Sequence, residues 1–109
     1  MISNDKYQHI IQVARFMKKY CEENEFDKSF CEEMFTLGIL HDIGYEFTEH
    51  AEHNYAGGQL LKNQNYKYYT EIMYHGIPNT KYVSKELDIL NYADMHIDGK
   101  GNYVTFVKD

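Results

Sequence analysis

The chain has 109 residues, 43% of them apolar and 26% charged, a size and balance that suit one globular domain with its own core. Its 11 tyrosines and 6 phenylalanines give that core large side chains and exclude a disordered chain. The net charge of −6 excludes a partner held chiefly through its phosphate backbone, since such proteins carry a basic stripe, so no long nucleic acid is expected.

The first predicted helix runs from about Asn4, capped by Ser3 or Asn4, to about Glu23, with Ile10, Val13, Phe16, Met17 and Tyr20 on one face. Asp5, Lys6, Arg15, Lys18 and Lys19 break up any apolar run near its start, so neither a secretory leader nor a membrane partner is expected, and a cytoplasmic location is. Asp27 can cap a second helix lined by Phe30, Met34, Leu37 and Leu40, where Gly38 allows a neighbour close and Gly44 marks the stop. Cys21 and Cys31 form no Cys-x-x-Cys pair and read as buried free thiols. A third helix spans about His50 to Asn63, with Ala56, Gly57, Leu60 and Leu61 inward. A fourth spans Tyr66 to His75, closed by Gly76 and Pro78, and a fifth begins near Ser84 and carries Leu87, Leu90 and Ala93. After Asp94 the run from Ile97 to Gly101 reads as a turn, and Tyr103 to Val107 alternates like an extended tail. The expected fold is all-α, a single-domain bundle of about five helices with a short tail.

Several polar residues sit where apolar ones belong. His9 shares a face with Val13 and Phe16, and His41 shares one with Leu37 and Met34, with Asp42 next to it at the helix end. His53 accompanies Ala56, Gly57 and Leu60, His75 follows Ile72 and Tyr68, and Asp94 follows Leu90 and Leu87. A carboxylate turned inward costs several kcal/mol unless a positive group answers it. No lysine or arginine is expected on those stripes, so a bound cation is the simplest answer. A lone inward histidine is more often a satisfied core residue than a ligand, and the coincidence over five stripes carries the reading. Imidazole with carboxylate suits manganese, iron, nickel, cobalt or zinc and disfavours calcium.

Two weaker patterns fail. The run from Asp94 to Gly99 opens like a calcium loop, but His96 replaces an oxygen ligand and Thr105 stands where a bidentate glutamate is required. Gly99-Lys100-Gly101 lacks the spacing and hydroxyl of a phosphate-cradling loop. His50 and His96 read as surface residues or as supports behind the ligands.

The order His9, His41-Asp42, Asp94 resembles the H…HD…D pattern of the HD-domain metal-dependent phosphohydrolase superfamily, over about His9 to Phe106. Leu40-His41-Asp42-Ile43-Gly44 is similar to the HDIG element of that family, and Tyr92-Ala93-Asp94-Met95 to the stretch around its last aspartate. The resemblance implies an all-helical fold with His9, His41, Asp42 and Asp94 as ligands of one divalent ion. It also implies His53, from an H-x-x-x-G segment, and His75 as ligands where a second ion binds. The implied activity is hydrolysis of a small phosphate ester, a nucleotide or related metabolite. Asp42 or Asp94 would orient the nucleophile, Glu46 would shuttle a proton, and His53, His75 and Tyr45 would meet the substrate. Tyr45 stands where many hydrolytic members have lysine or glutamate. The resemblance leaves two alternatives, a di-iron oxygenase using the same six ligands and a module that binds metal and ligand without turnover. A homo-oligomer is compatible with either.

Overall fold

A computed structural model of the chain describes residues 2–48, 52–78 and 80–105. Five α-helices occur among them: α1 (Asn4–Glu23), α2 (Lys28–Leu40), α3 (His53–Asn63), α4 (Tyr69–Tyr74) and α5 (Lys85–Met95). The all-α expectation holds. The surface role given to His50, and the part of the tail at residues 106–107, lie outside the described residues.

Ser3 is the N-cap of α1, its hydroxyl accepting from the Lys6 amide at 3.1 Å. The buried face, His9, Ile10, Val13, Ala14, Met17 and Cys21, follows the three-and-four spacing of an amphipathic helix. α2 starts after Asp27, whose side chain makes no capping hydrogen bond, and buries Cys31, Met34, Leu37 and Gly38. A Cβ on Gly38 would stand 2.5 Å from the Ala14 Cα, so this glycine sets how closely α1 and α2 pack. Met17, Met34, Leu37, Ile72 and Leu90, all fully buried, tie α1, α2, α4 and α5 into one core. Each such side chain contributes roughly 1.5–3 kcal/mol on burial.

Some boundaries differ from expectation. α2 ends at Leu40, and Gly44 lies within a following 3₁₀ turn, Ile43–Glu46, instead of stopping the helix itself. A Cβ there would collide with the His53 carbonyl, so Gly44 is needed where this turn abuts α3. The described part of the third helix begins at His53, and Ala56 and Leu60 on it are half-buried while Gly57, Gly58 and Leu61 form its buried side. α4 is shorter than expected because Asn65, at φ 61°, turns the chain, and residues 66–68 arrive as a turn. Gly76, at φ 73°, and Pro78 follow its end as anticipated.

Ser84 caps α5 by accepting from the Leu87 amide at 3.0 Å. Beyond α5 the chain closes on itself. Asp98 Oδ1 accepts from the Lys100 and Asn102 amides at 2.9 Å each, and Ile97 pairs with Tyr103 in an isolated antiparallel bridge. The run from Ile97 to Gly101 is thus the expected turn, an Asx-type one folded against α1, and Tyr103 follows it in extended pairing with Ile97.

Candidate metal centre

The end of α2 points His41 and Asp42 toward a spot that α1 reaches with His9 and α5 with Asp94. His9 Nε2 lies 2.9 Å from Asp94 Oδ1 and 3.6 Å from Asp42 Oδ2. His41 Nε2 lies 3.2 Å from Asp42 Oδ2 and 3.4 Å from Asp94 Oδ1. Atoms that share one ion at bond lengths of about 2.0–2.2 Å stand roughly 3–3.5 Å apart; His9, His41 and Asp94 are grouped closely enough to share one, and Asp42 Oδ2 lies beside the two histidines.

The ring nitrogens show what must lie between them. His9 Nδ1 is 2.9 Å from the Asp98 carbonyl, His41 Nδ1 is 2.6 Å from that of Gly38, and His75 Nδ1 is 2.6 Å from that of Ile72. A carbonyl only accepts, so each Nδ1 donates its proton and each Nε2 is left with a lone pair unless a second proton is added. Those lone pairs face carboxylate oxygens, which also only accept. A cation between them resolves the conflict, and the carbonyls behind fix each ring as metal-ligating histidines require. His41 Nε2 is shielded from solvent and has no well-directed hydrogen-bond partner among the described residues. The residues present thus fit a divalent cation.

Electrostatics agree. Burial pushes the Asp42 carboxyl up, but His41 first, then His53 and His75, outweigh it and hold the group well below the usual carboxylate range. Asp94 is likewise raised by burial and lowered further by His41 and His9. Burial lowers His41, yet the Asp42 and Asp94 carboxylates carry it up to about 10. The pocket is built to hold a positive species.

Asp42 faces two ways. While Oδ2 meets His9 and His41, Oδ1 lies 3.2 Å from His53 Nε2 and 3.2 Å from His75 Nε2. Two overlapping groups could hold an ion, His9 with His41 and Asp94, and His41 with Asp42 and His75. The six residues expected from the sequence are therefore brought together around one carboxylate.

Other expectations fare differently. Tyr45 lies beside the centre, its ring stacked on His53 with centroids 4.1 Å apart. Glu46 is exposed and is not part of the cavity wall, so it is not brought to the site. His96 is not on the open surface. It is half-buried in an aromatic cluster, its ring 5.6 Å from both Phe16 and Tyr103, which also stack on each other at 6.1 Å.

The expectation that no basic residue shares the inward faces is corrected. Lys6, one turn before His9 on α1, places Nζ 3.4 Å from Asp42 Oδ2. Its long stem lets the charge reach the site from a half-buried position. Its spacing of three residues from His9 was the available signal. Asn54 was also missed. Its side chain is buried, its Nδ2 donates to the His75 carbonyl, and it lines the cavity with Lys6, His9, Asp42, His53 and Asp94. That cavity, about 410 Å³, opens directly onto the donors.

The HD domain family model matches residues 7–101, most of the chain and all six of these histidines and aspartates. No curated protein and no solved structure matches the chain. Among the described residues, no helix is long and apolar enough to cross a membrane.

Proposed function

Because the chain belongs to the HD-domain family, a superfamily of metal-dependent hydrolase type, we propose that it hydrolyses a phosphate ester in a nucleotide or related small metabolite. One observation carries the reading: donors on three helices converge at the floor of an open cavity, so a bound ion would have protein on one side and room for substrate on the other. His9, His41, Asp42 and Asp94 would hold the ion, with His53 and His75 completing a second site across Asp42. When bound, a divalent ion supplies Lewis acidity, making water a stronger acid and offsetting charge on a phosphoryl oxygen.

The chain's own residues supply orientation. Asp42, with a side chain only 5% exposed and both oxygens surrounded by imidazoles, serves as a ligand and has little access to water. Asp94, at 26%, is the carboxylate open to the cavity, and it would accept a hydrogen bond from the attacking water and so aim it. The carbonyls of Asp98, Gly38 and Ile72 hold the three rings against rotation.

Product formation by metal-reconstituted protein tests the reading, read as inorganic phosphate from phosphomonoesters and as nucleoside monophosphates from cyclic nucleotides and dinucleotides. Turnover with one class, abolished by chelation, is expected. A melting temperature that rises with ligand while no hydrolysis product of any class forms would instead mark a binding module. The arrangement of His53 and His75 on the far oxygen of Asp42 also favours a second reading, a di-iron oxygenase. Visible absorbance, an iron content near two per chain and oxygen consumption would decide for it.

A further inference from the structure

Lys6 is not explained by the ion-holding set. It belongs to α1, it lines the cavity, and its ammonium lies 4.1 Å from the centre of the Tyr45 ring. That ring is in turn stacked on His53. A cation over an aromatic face is held in place without being neutralised, because the ring offers a quadrupole and no charge. The other neighbour, Asp42 Oδ2 at 3.4 Å, is at the long end of an ion-pair contact and already meets His9 and His41.

We propose that Lys6, steadied on Tyr45, is the residue that grips the anionic phosphoryl group of the substrate, an inference that rests on the hydrolase reading. A divalent ion ligated by Asp42 takes up that carboxylate's charge and leaves two positive centres, the ion and the ammonium, facing one cavity. Like charges that close repel, and an anion placed between them turns the repulsion into two attractions. The local charges agree. Asp42 and Asp94 contribute two negative charges, the ion two positive and Lys6 one more, so the filled site keeps a net positive charge that suits an anion. Lysine binds phosphate as a point charge, and a half-buried ammonium at a cavity wall can follow the oxygen that carries most charge. The remaining wall of the same cavity, which includes Gly76 and Ile77, then receives the rest of the ester. Tyr45 acts as a positioning residue that keeps the ammonium aimed.

The test measures metal content and inorganic phosphate affinity on metal-loaded protein, in the native chain and in Lys6→Gln, Lys6→Arg and Tyr45→Leu. Losing a charge-assisted contact should weaken phosphate binding by roughly 10- to 100-fold in Lys6→Gln. Metal content should be unchanged, Lys6→Arg should restore most of the affinity, and Tyr45→Leu should fall between. Where an ester is turned over, Lys6→Gln should raise KM more than it lowers kcat. Native phosphate affinity in Lys6→Gln would overturn the assignment while leaving the hydrolase reading intact. Loss of metal in Lys6→Gln would overturn it too, making Lys6 a structural partner of Asp42. A native metal-loaded protein that binds no phosphate and cleaves no ester would overturn both.

Discussion

At the scale of single residues, the centre is governed by which atoms can carry a proton. Because each Nδ1 of His9, His41 and His75 donates to a carbonyl, the opposing Nε2 has one role left, to face a positive species. In metal-free protein that species is a proton at His41, whose folded-state pKa lies near 10. The sign of the linkage follows. A raised imidazolium stabilises the fold fully below its unfolded value of about 6.5, and that contribution fades as pH rises toward 10. The depressed Asp42 and Asp94 carboxyls stabilise it above about 4, and that contribution is lost as pH falls. Metal-free protein should thus lose stability on both sides of the interval between about 4 and 6.5. Denaturant midpoints across pH check this, and a stability that climbs steadily from pH 7 to 10 would contradict it. Metal uptake at pH 8 should expel the His41 proton, seen as a binding enthalpy that shifts with the ionisation heat of the buffer. His96→Ala should leave metal binding intact while removing one ring of the aromatic cluster it forms with Phe16 and Tyr103.

At the scale of elements, geometry at the centre depends on how closely α1 approaches its neighbours. Gly38→Ala would drive a methyl into the Ala14 backbone, and overpacking of this kind costs about 1–3 kcal/mol. The expected result is a lower denaturant midpoint with an unchanged slope. The turn after α5 acts more locally. Gly101, at φ 88°, lies where a Cβ would stand 2.9 Å from Gln8 atoms, one residue before His9. Gly101→Ala should lift this turn from α1, free the Asp98 carbonyl from His9 and weaken metal binding by roughly 10- to 100-fold. Competition with a chelator of known affinity measures this, and unchanged affinity would show that the turn does not hold His9.

These elements also show what a sequence can and cannot disclose. α1 was legible from Ser3 to Glu23 because its apolar spacing is regular and its cap has a hydroxyl. The ligands were legible because each polar side chain interrupts an apolar stripe. Lys6, three residues before His9, gave only a faint signal, since a long flexible stem separates the position of its Cα from the place its charge acts. The carbonyls of Asp98, Gly38 and Ile72 leave no trace in side-chain patterns, because every residue carries one. α4 was drawn too long because Tyr68 fits a helical stripe with Ile72 and His75, and only the left-handed turn at Asn65 shows that the chain enters α4 through a turn.

At the scale of the whole molecule, one small core carries a costly interior. Asp42, His41, His75 and Glu71 are each at most 3% exposed. Glu71 is answered by the hydroxyls of Tyr82 and Ser84, at 2.7 and 2.8 Å, which tie the segment before α5 to α4. The aspartates face imidazoles and, at Asp42, the Lys6 ammonium, and a bound cation would add to these, so metal binding and folding would be coupled. Saturating metal should raise the melting temperature in a concentration-dependent way, with a gain of about 2.7 kcal/mol at a hundredfold excess over Kd.

The most direct measurement is the metal content of protein purified without added metal, compared with His41→Ala and Asp94→Ala made in the same way. A near-stoichiometric transition metal is expected in the native chain, with a loss of most of it in both variants. Native protein that stays metal-free after incubation with manganese, iron, nickel, cobalt and zinc, or variants that retain the full complement, would contradict it.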